Sequence, residues 1–395
     1  MQTTSRRSAL SSALLACSLG VLACGGAREE ESSSSAPEPL GPPEAVFPED
    51  FGYIHAVREL PDGAVLVPDP VGGALYRAAM DVGVRTIVGG VGEGPGEYLQ
   101  PDAVWPLPGD STLLVDLGRA RLVRLGPDLE FGRTYPVAML AGDGAMVVAV
   151  PQGVDARGSV YAPVSGGYPP PDSGAIVRID PVAASIDTVG GYKLREVTIE
   201  ESAGRMRASL IPLSPGDAWG VAGDGAVVVA RSEDYGVDWL DPGGAVKRGA
   251  GIAYDLVPIT AAEKLAYLDD RRRHAGIGME IMTSADGATE TRFYRGSSGR
   301  SAGLGPDDYT WPDVKPAPVA GTVRVDPLGR AWVRRHTRAD GGSVYDLFDR
   351  QGRRVRVLTM DGHRIVVGFG SESVYIAAFD ALDRAYLERY DLPRD

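Results

Sequence analysis

The chain has 395 residues, 53 of them acidic and 40 basic, and a formal net charge of −13. That balance argues against nucleic acid or an anionic membrane surface as a partner held by charge. The two cysteines are Cys17 and Cys24, and asparagine is absent. N-glycosylation is therefore excluded, and tight turns must use Asp-Gly or Gly-Asp pairs.

Residues 1–23 read as a lipoprotein signal peptide. Arg6 and Arg7 form a positive n-region, and Ser8 to Ala23 form a short apolar run unsuited to spanning a bilayer. The run ends in Val21-Leu22-Ala23-Cys24-Gly25-Gly26, which looks like a bacterial lipobox with Cys24 as the lipid attachment site. Leu14-Leu15-Ala16-Cys17 is a competing match. Cleavage at Cys24 leaves no internal disulfide, and a domain of this size can stand on its core alone. Gly25 lacks the Asp that retains lipoproteins at an inner membrane, so an outer-membrane location is expected.

Residues 24–43 read as a disordered tether: acidic Glu29-Glu30-Glu31, four serines and several prolines cannot bury enough apolar surface to offset ordering entropy. From residue 44 the chain is dense in glycine, proline and short β-type runs. Leu60-Pro61-Asp62-Gly63 precedes Ala64-Val65-Leu66-Val67, and Ala222-Gly223-Asp224-Gly225 precedes Ala226-Val227-Val228-Val229. Leu107 to Val115 and Asp326 to Val333 repeat the pattern. Each reads as strand, turn, buried strand.

These units fall at about 54–90, 102–137, 145–192, 217–252, 321–360 and 364–392. A repeat of about 40–50 residues with four strands per unit signals a β-propeller. The fold class is therefore all-β: a six-bladed propeller of four-stranded antiparallel blades over residues 44–395. The last unit offers three strands. Ala45-Val46-Phe47 is spare and is expected to complete it from outside, closing the ring. Residues 256–318 break the repeat between blades four and five. There Thr260-Ala261-Ala262-Glu263 reads as a capping box leading into a helix to His274.

Gly92-Glu93-Gly94-Pro95-Gly96-Glu97-Tyr98, Val323 to Val333 and Asp346 to Arg353 resemble segments of bacterial six-bladed NHL-repeat-like lipoproteins, a largely uncharacterised family. The resemblance spans residues 54 to 392 and implies fold and envelope location. It says little of function. The glycine-rich segment is not a phosphate loop, because Gly-Lys-Ser/Thr and a following helix are missing and two glutamates stand in their place.

Chemistry is sparse. His55, His274, His336 and His363 lack metal-ligand spacing, no Gly-x-Ser-x-Gly elbow occurs, and no EF-hand pattern occurs. No catalytic residue, metal ligand or cofactor is assigned, and calcium has no supporting motif. The candidate binding residues are Arg271, Arg272 and Arg273, the one dense basic cluster, with Tyr309 and Trp311 outside the blades. Trp105, Trp219, Trp239 and Trp332 are read as blade packing. The expected role is a lipid-anchored, monomeric binding or scaffolding module for a protein, peptide or small ligand. It touches the membrane through its anchor alone. The alternative is a metal-dependent hydrolase or lyase working in the central channel.

Overall fold

In blades one to five the first two strands are joined by a turn that places a residue in left-handed backbone. Gly63 and Gly225 take φ of 79° and 90°. Their amides donate to Leu60 O and Ala222 O at 2.9 Å. Asp62 and Asp224 accept the N–H two residues further on, each at 3.1 Å. Glycine pays no Cβ penalty there, and Asp mimics a backbone turn. A longer Asp-to-Arg device recurs at Asp326–Arg330, Asp349–Arg353 and Asp380–Arg384. In each, the arginine offers both its backbone N–H and its guanidinium to the aspartate four residues earlier.

The computed structural model describes residues 36–140, 146–148, 150–166, 170–202, 205–273, 277–283, 289–295 and 304–394. They form a six-bladed propeller, with blades spanning 58–87, 101–136, 153–193, 218–248, 318–360 and 363–391. Each blade is an antiparallel sheet whose first strand lies innermost. Blade three begins at Gly153 and not near 145, because Ala138–Leu140 and Met146–Val148 pair as a separate hairpin.

The second strands of blades one and two end in buried aspartates. Asp69 accepts from Gly52 N at 2.8 Å and Tyr53 N at 3.1 Å. Asp116 accepts from Leu99 N and Gln100 N at 3.1 Å. These carboxylates satisfy amides of the segment that leads into each blade's inner strand, which has no sheet partner for them. In the glycine-rich segment, Glu97 folds back to accept from Gly94 N at 2.5 Å. The segment joins blade one to blade two.

Blade six is completed by Ala45–Val46, paired antiparallel to Glu388 and Arg389. Phe47 N and Phe51 N continue the pairing to Leu387 O and Ala385 O at 2.8 Å. Phe47, Phe51 and Ile54 then fill the seam between blades six and one, against Val65, Val67, Tyr375 and Leu387. Ordered pairing begins earlier than that, inside the stretch read as tether. Glu38–Pro39 adds a fifth, parallel strand to blade five, with Glu38 bonded to Arg356 at 2.6 Å.

The insertion carries α1, Ala261–Arg273. The expected capping box does not form as such. Glu263 is buried and faces blade five, where it pairs with Lys315 and accepts from Ala339 N at 2.9 Å. A buried cation is the stronger attraction, since a solvent-facing return bond would leave Lys315 unpaired. Among the described residues no helix is long and apolar enough to cross a membrane.

Ring closure predicts a sharp contrast between neighbours. Phe47 is fully buried and Val46 is half exposed. Phe47→Ala should cost about 3–5 kcal/mol in denaturant unfolding, whereas Val46→Ala should stay within about 0.5 kcal/mol. Equal costs would show that the seam does not depend on this packing.

Candidate functional site

Near the axis the inner strands come together closely enough to exclude side chains. A Cβ on Gly220 would lie 2.7 Å from Val323 O, and one on Gly368 would lie 2.6 Å from Val57 O. Where larger residues occur, strand alternation sends successive side chains to opposite faces of the blade. Val323 is buried between blades four and five. Arg324, next to it, turns the other way. It lines a cavity of about 550 Å³ together with His55, Trp105, Gln152, Tyr192 and Trp219.

Arg324 is the central charge. Its Nη2 donates to His55 O at 2.8 Å, and its guanidinium carbon sits 5.2 Å from the centre of the Trp105 ring. Among the described residues no carboxylate pairs with it. Burial pulls its pKa down to about 10, which leaves it cationic at neutral pH. Burial, and then the charge of Arg295, drop His55 to about 3, so that imidazole is neutral. Trp105 Nε1 is buried without an acceptor. Among the described residues Arg324 is thus a half-buried cation in the cavity lining without a carboxylate partner.

The rim charges are different. Arg295 ends the insertion strand Thr289–Arg295 and also lines the cavity. Its Nη2 donates to Asp102 Oδ2 at 3.0 Å while Nε pairs with the other oxygen. Its backbone N donates to Gln100 Oε1 at 2.8 Å, and Gln100 Nε2 returns a bond to Arg295 O at 3.1 Å. Burial alone would lower the Arg295 pKa, but Asp102 outweighs it and the net direction is upward. Lys193 Nζ is held by Glu233 at 2.5 Å. Asp217 accepts from Lys193 N and Ser232 N at 2.9 Å and from Ser232 Oγ at 3.0 Å. Arg195, exposed on this rim, has no ion-pair partner among the described residues.

The residues singled out from sequence lie elsewhere in the insertion. Arg271 is exposed, 5.9 Å from the Tyr267 ring centre. Tyr267 meets Trp311 edge-on at 5.6 Å, and Trp311 meets Tyr309 at 5.9 Å. Trp311 Nε1 donates to Pro306 O at 2.8 Å. Arg271, Tyr309 and Trp311 therefore gather around Tyr267, and none of them lines the cavity. Arg272 and Arg273 close the last turn of α1. Their side chains, like Cys24 and His274, lie outside the described residues.

Arg324, Arg295, His55 and Trp105 were not found by the motif search. One signal was available: Val323-Arg324-Val325 puts a charge in the middle of a first strand. No group of three His, Cys, Asp or Glu that could hold a metal ion occurs among the described residues.

No protein family and no curated protein matches the sequence. Solved structures do. A calcium-binding protein, regucalcin, from Agrobacterium tumefaciens matches at 9% identity and a TM-score of 0.39, over 91% of this chain and 98% of its own. Virginiamycin B lyase from Staphylococcus aureus matches at 10% identity and 0.39, over 88% and 98%. A member of the DUF4221 family from Bacteroides vulgatus matches at 8% identity and 0.45, over 89% and 96%. At such identities the likeness is one of fold.

Proposed function

We propose that this propeller is a binding module whose channel receives a small organic anion held by Arg324. One observation carries the reading: a guanidinium with no carboxylate partner among the described residues lines a cavity inside a protein of net charge −13. A half-buried cation held by a carbonyl and a ring face retains much of its demand for a counter-charge. A charge-assisted bond from a planar fork meets that demand. The proposal is for a monomer with one ligand per chain.

The competing use of the channel, a metal-dependent hydrolase or lyase, needs ligands that converge on one point. The nearby carboxylates are committed, Asp102 to Arg295 and Asp217 to three donors from Lys193 and Ser232. Titration of the protein with acetate, benzoate and inorganic phosphate, with calcium or with chelator, separates the two readings. Binding independent of calcium is expected. Binding that requires the ion would favour the enzyme.

Arg324→Met should weaken anion binding about 30- to 100-fold in calorimetry, the effect of removing one charged hydrogen-bond donor. Arg324→Lys should recover part of it. The pH dependence follows from the two groups. His55 stays neutral down to about 3 and Arg324 stays charged up to about 10, so affinity for a carboxylate should be flat from about pH 6 to pH 8, fall at higher pH as the cation is lost, and fall below about pH 5 as the ligand itself is protonated. A fall in affinity between about pH 6 and pH 7 would assign the binding charge to another group.

Export and anchoring belong to the same proposal, with lipid on Cys24 holding the module at the outer membrane. Cys24→Ala should abolish fatty-acid labelling in a bacterial host and release the protein from the membrane fraction, whereas Cys17→Ala should do neither. Label retained in the Cys24 variant would overturn the anchor.

A further inference from the structure

The cavity says more about the anion than its sign. Of the basic residues lining it, Lys193 is paired to Glu233 and Arg295 to Asp102, and Arg195 is exposed at the rim. His55 is neutral and Asp217 is saturated by donors. Among the described residues two lining cations lack a carboxylate, Arg324 and Arg195; Arg195 is exposed and screened by water, so the half-buried Arg324 dominates inside, and that favours a monoanion. A second negative charge on the ligand would enter a desolvated space without a partner.

The walls are aromatic where the ligand body must lie. Trp105 carries Arg324 over its ring. Tyr192 lines the same cavity, its ring centre 6.2 Å from that of Trp219, which is buried in the blade interface behind it. Val150, Pro163 and Leu194 add apolar surface. At about 550 Å³ the space is larger than acetate or phosphate requires and lies in the range of sites for compact organic ligands. Aromatic faces favour a planar ring over a saturated one of similar size.

Resting on the anion reading above, we infer that the ligand is an aromatic monocarboxylate, its carboxylate on the Arg324 fork and its ring against Trp105 and Tyr192. Aliphatic acids and inorganic phosphate share the anionic head but lack the ring. Cyclohexanecarboxylate shares the head and the bulk but lacks the flat face.

The test is calorimetry on the mature protein at fixed ionic strength with benzoate, 1-naphthoate, cyclohexanecarboxylate, acetate and inorganic phosphate, followed in parallel by tryptophan fluorescence. Benzoate and naphthoate should bind about three- to tenfold more tightly than cyclohexanecarboxylate, and more tightly still than acetate or phosphate. They should also quench the fluorescence. Trp105→Leu should erase the preference for the aromatic ring, read as the ratio of benzoate to cyclohexanecarboxylate affinity, and Trp105→Phe should keep most of it. Tyr192→Leu is the second probe if the Trp105 variants fail to fold. Arg324→Met should weaken every anion. If acetate, phosphate or cyclohexanecarboxylate binds through Arg324 as tightly as benzoate, the aromatic class falls and the anion site stands. If no anion depends on Arg324, both fall.

Discussion

Everything in this protein depends on closing the ring. A four-stranded blade has two apolar faces and can cover neither alone, so each blade is buried only when both neighbours are in place. The last seam is the weak one, because blade six brings only three strands of its own. Phe47, Phe51 and Ile54 fill that seam while Ala45–Val46 supplies the missing edge. This joins the two ends of the propeller in a single sheet. Arg85 adds to it, with its guanidinium carbon 4.9 Å from the Phe51 ring centre and 4.4 Å from that of Tyr76. A closed ring fixes the inner strands at contact distance, as at Gly220 against Val323 and Gly368 against Val57. The channel geometry is therefore a consequence of the same packing that holds the blades.

A fixed channel can keep a charge that a flexible one would release to water. The strand that carries Arg324 is held in place, since Val323 and Val325 pack in the interface between blades four and five. It is left with the His55 carbonyl and the Trp105 ring. The protein as a whole is acidic, but exposed charges more than about 8–10 Å away are largely screened at physiological salt. A charge inside the channel is screened less than one on the outer surface, so the net charge of the protein says little about the field at Arg324.

The propeller was readable because its turns are chemical signatures. Leu60 to Gly63 and Asp326 to Arg330 can be recognised without knowing their neighbours, and a spare strand before the first unit pointed to the closure. The parallel strand Glu38–Pro39 could not be read, since its composition is that of a tether and its pairing rests on distant Arg356 and Thr359. The Thr260–Glu263 motif was present, but Glu263 turned to Lys315, 52 residues away in sequence by their numbering. Arg324 resembled any arginine in an alternating strand. Its role depends on the strand being innermost and on the absence of an acid opposite, and neither is local information.

The insertion joins these levels. Near its start, buried Glu263 is locked to Lys315 beside blade five. Further along, Arg295 is locked to buried Asp102 in the inner strand of blade two. Breaking either pair by removing one partner would strand a buried charge, at about 3–5 kcal/mol. Such a strap is fastened at two points of the ring by interactions that cannot be half undone cheaply. Covering apolar surface does not require that. The second fastening also puts the Arg295 side chain into the cavity wall, where its charge helps to keep His55 neutral. The segment that breaks the repeat thereby sets the electrostatics of the site that the repeat encloses.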